Sequence, residues 1–231
     1  MERKDALVSV IVPAYNEEET IGNVLNDLMK MSRNGFPVEV VVVDDGSSDG
    51  THKEVAKFPE VVYLRHERNL GKGMALKTGL RVAKGMVCVI QDADSEYSPK
   101  EIPRLVTPIL KGDADVVYGS RFMGNRNGMS LSHTIGNTVL SKVTSLLFMK
   151  NITDVMTGHK AFSRRVIRSF GFQADDFSIE TEFTARVLQK RLRVLEIPIN
   201  YSYRKKGTAK IKYIDGLRSL ARLLSVFFSE A

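Results

Sequence analysis

Short apolar runs alternate with longer, mixed segments through the first half of the chain. Runs rich in valine and isoleucine predict strands at residues 8–12, 38–43, 61–64, 86–90 and 116–118. Runs with no polar alternation are typical of strands buried on both faces of a parallel sheet. Between them, apolar residues spaced three and four apart predict helices at residues 18–31, 73–83 and 101–110. This alternation predicts a doubly wound α/β fold, a mostly parallel sheet flanked by helices.

The second half of the chain has a less regular pattern. The predicted elements are a mobile glycine- and asparagine-rich loop at 121–137, an apolar helix at 139–149, a helix at 180–189, a strand at 194–203, a basic loop at 204–212 and an amphipathic helix at 216–228. Pro198 inside the strand indicates an edge strand or a bulge. The last helix either closes the domain or rests on anionic lipid. Because no repeat or linker interrupts the chain, we predict one domain over residues 1–231.

Composition narrows the class of protein. The chain has 231 residues, 43% hydrophobic and 26% charged, as in an ordinary folded protein. No run approaches the roughly 20 apolar residues of a membrane span, and no secretory signal is evident, so we expect a cytoplasmic location. The single cysteine, Cys88, lies in an apolar strand and is interpreted as a core residue. A net charge of +7 favours anionic partners.

Polar residues follow three of the predicted strands directly. Asp92 and Asp94 come after the fourth strand, and could hold a hard cation or form an acidic turn that caps the next helix. The segments 44–47 and 13–17 follow the second and first strands, and each alone is explained by turn or helix-cap chemistry. Since parallel strands end at a shared edge, we expect one polar site there.

The polar segments are similar to those of a known family. Pro13-Ala14-Tyr15-Asn16-Glu17, 43–47, 69–73 and 92–94 resemble, in order and spacing, the inverting family 2 glycosyltransferases of the GT-A fold. The segment 117–122, Asp154, the segment 157–160, Ile197-Pro198 and the basic loop resemble the dolichol-phosphate mannose synthase group. That group includes polyprenyl-phosphate glucosyl- and N-acetylglucosaminyltransferases. The resemblance spans about residues 7–225.

The resemblance implies a set of functional residues. Asp92, Asp94 and Glu96 would bind Mg²⁺ or Mn²⁺, with Glu96 where the group often has glutamine. Asp94 and Arg121 would be catalytic, Arg121 lying near the transferred sugar or the acceptor phosphate. The residues implied for nucleotide-sugar binding are Pro13, Tyr15, Glu17, Val43, Asp45, Asp92, Ala93, Asp94, Glu96, Arg121, Arg204, Lys206 and Lys210.

The implied reaction is a metal-dependent, inverting transfer of a hexose from a sugar nucleotide, with GDP-mannose favoured, to dolichyl or polyprenyl phosphate. UDP-glucose or UDP-N-acetylglucosamine is an alternative donor, and a protein or glycan an alternative acceptor. A nucleic-acid-binding module is an alternative of a different class, supported only by the net charge. A lipid acceptor implies a peripheral position on the cytoplasmic face of a membrane, reached directly or through a membrane partner subunit.

Two further patterns bear on the chemistry. Gly71-Lys72-Gly73 lacks the third glycine of a dinucleotide fingerprint, and that function is rejected. Glu180 and Glu182 would face the same way in a strand but diverge in a helix, so no general base is assigned. A lipid monophosphate is already anionic and needs positioning more than deprotonation.

Overall fold

The structure, a computed structural model, describes residues 6–203 and 213–229. Its strands are β1 (Val8–Ala14), β2 (Val38–Asp44), β3 (Val62–Arg65), β4 (Val87–Ile90), β5 (Val116–Asn127), β6 (Lys160–Ser163) and β7 (Val194–Ser202). Its helices are α1 (Ile21–Arg33), α2 (Thr51–Val55), α3 (Lys72–Val82), α4 (Ile102–Lys111), α5 (Leu131–Phe148), α6 (Arg164–Ser169), α7 (Ile179–Gln189) and α8 (Tyr213–Phe228).

The seven strands form one sheet in the order β3-β2-β1-β4-β6-β5-β7. The pairs β1–β2, β1–β4, β2–β3 and β5–β7 are parallel, while β6 runs antiparallel to both β4 and β5. The predicted mostly parallel sheet flanked by helices is therefore confirmed. Because β1 lies between β2 and β4, the loops that follow these three strands are neighbours at one edge.

Both faces of the sheet are covered, which explains the unbroken apolar runs. Val10 and Val12 point to one face and pack in a cluster with Leu25 of α1. Ile11, the residue between them, belongs to the opposite cluster with Leu76 of α3. All five side chains are buried, and each contributes about 1.5–3 kcal/mol of hydrophobic stabilisation.

The prediction of a loop over residues 121–137 is wrong. β5 continues through this segment to Asn127 and pairs with β7 beyond a register shift between Ser120 and Asn125. The far half of β5 is exposed, so its backbone is paired without the apolar side chains that would have signalled a strand. α5 then begins at Leu131, where the Ser130 hydroxyl accepts a hydrogen bond from His133 N at 3.2 Å.

The last strand, β7, and the last helix, α8, can each be compared with its prediction. β7 is the last strand of the sheet, so Pro198 lies in an edge strand as predicted. α8 packs through Leu223 and Val226 against Ala185 of α7, and this face closes the domain. Leu217 of the same helix is 65% exposed. Among the described helices, none is both long and apolar enough to cross a membrane.

Candidate active site

The loops after β1 and β2 hold each other in place. Asn16 takes a positive φ of 51°, donates its backbone N–H to Ser47 Oγ at 2.9 Å and accepts from Ser48 N at 2.8 Å. The next backbone N–H, that of Glu17, donates to Thr51 Oγ1 at 2.8 Å. α1 begins only at Ile21, so the helix-cap explanation of Asn16 is wrong.

Asp45 joins the end of β2 to the segment before α3. Its carboxylate accepts from Leu70 N at 2.9 Å and from Gly71 N at 2.8 Å, and it lies 2.7 Å from His66 Nδ1. The side chain is buried. In this structure Asp45 therefore organises the 69–71 segment beside the strand ends.

The two glycines around Lys72 allow α3 to approach the chain before α7. A Cβ on Gly71, whose φ is 98°, would lie 2.3 Å from the Asp175 carbonyl oxygen. A Cβ on Gly73 would lie 2.4 Å from the Ala174 carbonyl oxygen. Met74 N also donates to the Asp175 carbonyl at 3.2 Å. The start of α3 is thus covered by main chain, and the glycines serve close packing.

Lys72 lies between two carboxylates. Its Nζ is 2.7 Å from Asp92 Oδ1 and 2.9 Å from Glu180 Oε1. Burial alone would lower the Lys72 pKa, but the two carboxylates hold it above its ordinary value. Burial would raise the Asp92 pKa, and Lys72 holds it below its ordinary value. Glu180 also pairs with the buried Lys160, whose pKa is lowered by burial.

Asp94 and Glu96 form the acidic turn after β4. Asp94 Oδ1 accepts from Glu96 N at 3.0 Å, and Tyr201 donates its hydroxyl to Glu96 Oε2 at 3.0 Å. Within residues 6–203 and 213–229, no three acidic, histidine or cysteine side chains are arranged to hold a metal ion. The binding of an ion by Asp92, Asp94 and Glu96 stays a prediction. Carboxylate oxygens suit Mg²⁺ or Mn²⁺, so Asp94 and Glu96 fit such an ion.

Arg121 is fixed by a bidentate ion pair. Its Nε and Nη2 each lie 2.7 Å from an oxygen of Asp154, which is fully buried. The guanidinium stands 5.9 Å from the ring centre of Tyr97 and 5.6 Å from that of Tyr201. Burial would lower the Arg121 pKa, but Asp154 holds it above its ordinary value. The pair uses two of the five guanidinium N–H groups, which leaves donors for an anion.

Asp154 is positioned in turn by Glu196 of β7. The Glu196 carboxylate accepts from Thr153 N at 2.8 Å, Thr153 Oγ1 at 3.1 Å and Asp154 N at 3.1 Å. Burial raises the pKa of this carboxyl despite those hydrogen bonds. Sequence reasoning missed Glu196, since one acid in an edge strand resembles any exposed strand residue.

His159 is buried beside this cluster. Its ring lies 5.6 Å from that of Tyr97, and both ring nitrogens lack a hydrogen-bond partner in the described part of the chain. Burial lowers the His159 pKa to about 4, although Asp92 acts in the opposite direction. The ring is therefore neutral near pH 7 and has no proton to donate as an imidazolium.

The remaining predicted site residues have different positions. Pro13 and Tyr15 are partly exposed at the edge, and the buried Glu17 accepts from Thr20 Oγ1 at 2.8 Å. The side chains of Val43 and Ala93 are buried in the two apolar clusters. The predicted basic residues Arg204, Lys206 and Lys210 lie outside the described residues.

The chain matches the family described as Glycosyl transferase family 2 over residues 9–171. It belongs to this family and is a glycosyltransferase with a GT-A fold, which confirms the family, fold and enzyme class expected from the sequence.

Two relatives match this chain over nearly all of its length. The chain is 31% identical to the UDP-N-acetylglucosamine–dolichyl-phosphate N-acetylglucosaminyltransferase of Methanococcus voltae, over 95% of this chain and 96% of that protein. It is 29% identical to the dolichol-phosphate mannosyltransferase of Pyrococcus furiosus, over 94% of this chain and 63% of that protein.

A solved structure supports the fold. Glucosyl-3-phosphoglycerate synthase from Mycobacterium tuberculosis, crystallised with Mn²⁺, UDP and glucosyl-3-phosphoglycerate, superposes with a TM-score of 0.78. The sequences are 22% identical, and the match covers 98% of this chain and 81% of that one.

Proposed function

We propose that this glycosyltransferase moves a sugar from a sugar nucleotide to a dolichyl or polyprenyl phosphate, with inversion at the anomeric carbon. The observation that carries the proposal is the interlocked polar edge after β1, β2 and β4, with the Arg121–Asp154 pair close to Tyr97 and Tyr201. The two dolichyl-phosphate transferases among the relatives support the lipid acceptor.

In this proposal the acidic side chains of the site bind a metal ion, and the basic side chain of Arg121 binds a phosphate. Asp94 and Glu96 would hold Mg²⁺ or Mn²⁺, which when bound neutralises the charge that develops on the departing nucleoside diphosphate. Arg121 is held rigidly by Asp154, and its remaining N–H groups would orient a phosphate oxygen of donor or acceptor. A fixed donor needs little reorganisation during the reaction, which favours transition-state stabilisation.

The acceptor phosphate is proposed to attack as an anion without a general base. The buried His159 has a pKa of about 4. Glu180 is ion-paired to Lys72 and Lys160, whereas Glu182 accepts from Ala174 N at 2.6 Å and from Arg186 Nε at 2.7 Å. The two glutamates diverge, as predicted for a helix, and each is already engaged by other groups. Attack opposite the leaving diphosphate would invert the anomeric centre.

The donor is proposed to be GDP-mannose, from the group resemblance. UDP-N-acetylglucosamine is a second candidate, because the Methanococcus voltae relative matches this chain along almost its whole length. The test is to incubate the protein with Mn²⁺, polyprenyl phosphate and labelled GDP-mannose, UDP-glucose or UDP-N-acetylglucosamine. We expect one donor to yield a lipid-linked sugar. Folded protein that forms no lipid product, or that prefers a soluble glycan acceptor, would contradict the proposal.

We also propose a peripheral position on the cytoplasmic face of a membrane. α5 carries an exposed apolar face, hereafter the α5 stripe, formed by Leu131, Ile135, Val139, Leu146 and Met149. Their spacing places them on one side of the helix, with the exposed Lys142 among them. An apolar stripe on a protein of net charge +7 is complementary to an anionic bilayer. A membrane partner subunit could bind the same face.

A further inference from the structure

The segment that carries Asp154 is neither helix nor strand, yet its backbone is held along its whole length. The backbone N–H groups of residues 152–156, hereafter the 152–156 segment, each donate to a side-chain oxygen. The acceptors, at 2.8–3.1 Å, are Ser145 Oγ for Ile152, Glu196 for Thr153 and Asp154, Ser141 Oγ for Val155 and Asn137 Oδ1 for Met156. Because a buried N–H without an acceptor costs free energy, these contacts fix the conformation of the segment.

The acceptors come from two elements on different sides of the segment. Asn137, Ser141 and Ser145 follow each other at every fourth residue of α5 and therefore share one face of that helix. Glu196 lies on β7, and its two oxygens accept from two successive backbone N–H groups and from the Thr153 hydroxyl. A carboxylate is a stronger acceptor than a hydroxyl or an amide. Glu196 is therefore the acceptor on which the position of Asp154 depends most.

Asp154 connects this segment to Arg121. Its carboxylate accepts from the backbone N–H of Arg121 at 3.0 Å and from Nε and Nη2 at 2.7 Å each. Three donors from one residue leave the guanidinium a single orientation relative to this carboxylate. A displacement of the 152–156 segment would therefore turn the guanidinium as well.

We infer that Glu196 is a positioning residue for Arg121, acting through the 152–156 segment and Asp154. The inference rests on the proposed function for the task of Arg121, which is to bind a phosphate oxygen. The N–H groups that Asp154 leaves available orient such an oxygen only while the guanidinium plane is fixed. Glu196 fixes that plane from the edge strand and acts on the reaction only through Arg121.

The first test requires no substrate. Heteronuclear NMR measures how fast the Arg121 Nε–H proton exchanges with solvent, and Arg121→Lys identifies the signal. Glu196→Gln keeps the size of the side chain but places an amide NH₂ where a backbone N–H needs an acceptor. We expect exchange to become about tenfold faster or more, because the ion pair with Asp154 is loosened.

A second substitution guards against a variant that does not fold. Glu196→Asp keeps the negative charge and withdraws the carboxylate by one methylene group. It should also accelerate exchange at Arg121 Nε, because the hydrogen bonds to Thr153 N and Asp154 N lengthen.

Two controls separate this effect from a general loss of stability. Arg186 Nε also lies 2.7 Å from a carboxylate oxygen, that of Glu182, and its exchange should stay at the wild-type rate. Global unfolding would accelerate both arginines. Glu101→Gln removes another buried acid that contacts β7, where Asn200 Nδ2 donates to it at 3.2 Å. This control should leave exchange at Arg121 unchanged.

The second test is the lipid-transfer reaction. Glu196→Gln should lower kcat/KM about tenfold or more with the donor that the wild type uses, because a misdirected phosphate-binding group stabilises the transition state less. Glu101→Gln should transfer sugar at close to the wild-type rate.

The inference is overturned if the folded Glu196 variants keep the wild-type exchange rate at Arg121 Nε, or if Arg186 or Glu101→Gln shows an equal acceleration. It is also overturned if Glu196→Gln transfers sugar as well as the wild type does. Absence of transfer by the wild type with every donor, together with the expected exchange pattern, would instead contradict the proposed function and leave the link between Glu196 and Arg121 standing.

Discussion

Arg121 and Asp154 carry opposite charges in a place that water barely reaches. Asp154 is fully buried, and Arg121 keeps 12% of its side chain exposed between two tyrosine rings. The planar guanidinium matches both carboxylate oxygens, which lysine could not do. This geometry fixes the direction of the remaining N–H groups, which is the property that recognition of a phosphate requires.

Removing the Asp154 carboxylate should lower the stability of the protein. Asp154→Ala leaves the Arg121 charge without compensation, and we expect the free energy of unfolding to fall by about 3–5 kcal/mol. Urea denaturation followed by circular dichroism measures this change. Asp115→Ala is the control, because its partner Arg193 is 58% exposed and the pair is screened by water. Equal losses in the two variants would contradict the interpretation.

Asp94 should matter for transfer and little for folding. We expect Asp94→Ala to abolish formation of lipid-linked sugar while leaving the circular dichroism spectrum and melting temperature close to those of the wild type. Asp113→Ala, an exposed acid before β5, serves as the control for the loss of one charge. Retained transfer by Asp94→Ala would refute the metal role of this residue.

His159 should make stability depend on pH. The folded-state pKa is about 4, below the unfolded value of about 6.5, because burial disfavours the charged ring. Between these values the unfolded chain binds a proton that the folded protein does not. Stability from this group is therefore complete above about pH 6.5 and falls as pH drops towards 4, by about 3 kcal/mol at most.

The measurement is urea denaturation at several pH values between 7 and 4. His159→Phe preserves a ring in the same space, and its stability should depend less steeply on pH in this window. Other groups titrate in both proteins, so the difference between the two curves isolates His159. Parallel curves would show that the ring gains a proton without unfolding.

Close packing between elements, more than local helix propensity, determines the start of α3. Gly73 lies in a helix, where alanine is ordinarily favoured, yet the Ala174 carbonyl leaves no space for a Cβ. Asp45 after β2 binds Leu70 N and Asp92 after β4 binds Lys72, so a shift of α3 would disturb both contacts. The geometry of this element thus links the polar edge to α7.

Two glycine substitutions test this reasoning in opposite directions. Gly73→Ala should lower the free energy of unfolding by about 1–3 kcal/mol, because the backbone at 174–175 must move. Gly136→Ala, in α5 with open space around the site, should raise it by about 0.5–1 kcal/mol through helix propensity alone. Thermal or urea unfolding of both variants decides. A stabilised Gly73→Ala protein would show that the contact is easily relaxed.

The proposed membrane contact combines an exposed apolar surface with the positive charge of the whole molecule. The α5 stripe includes Leu131 and Leu146, each 75% exposed, and the net charge is +7. Apolar insertion and attraction to anionic lipid add to each other at a bilayer surface. The Lys and Arg contribution should weaken with salt, whereas the apolar part should persist.

Vesicle binding tests this surface. Leu131→Ser with Leu146→Ser should weaken binding to vesicles containing anionic phospholipid about tenfold or more, because buried leucines contribute 1.5–3 kcal/mol each when fully inserted. Val62→Ser with Val82→Ser, exposed residues of β3 and α3, should leave it unchanged. Sedimentation with vesicles provides the measurement. Equal binding by the wild type and the α5 double variant would assign the contact to another face or to a partner subunit.

The strands that could be predicted from the sequence are those with a clear local pattern of apolar residues. The valine-rich runs identified β1, β2 and β4 because strands covered on both faces need unbroken apolar residues. The run at β3 was also identified, although three of its four residues are exposed. Their polar ends then indicated a shared edge, since parallel strands end together. β6 and the far half of β5 were missed, because β6 has apolar side chains at only two of its four positions and the far half of β5 is exposed.

The sequence by itself determined the fold class, the family and the edge at which the polar loops meet. Tertiary structure decided how the charges are paired there. Lys72 meets Asp92 and Glu180, residues separated from it by 20 and 108 positions, only because α3, β4 and α7 converge. Periodicity describes how a segment folds against a generic core, whereas a buried ion pair depends on which distant segments become neighbours and exclude water between them.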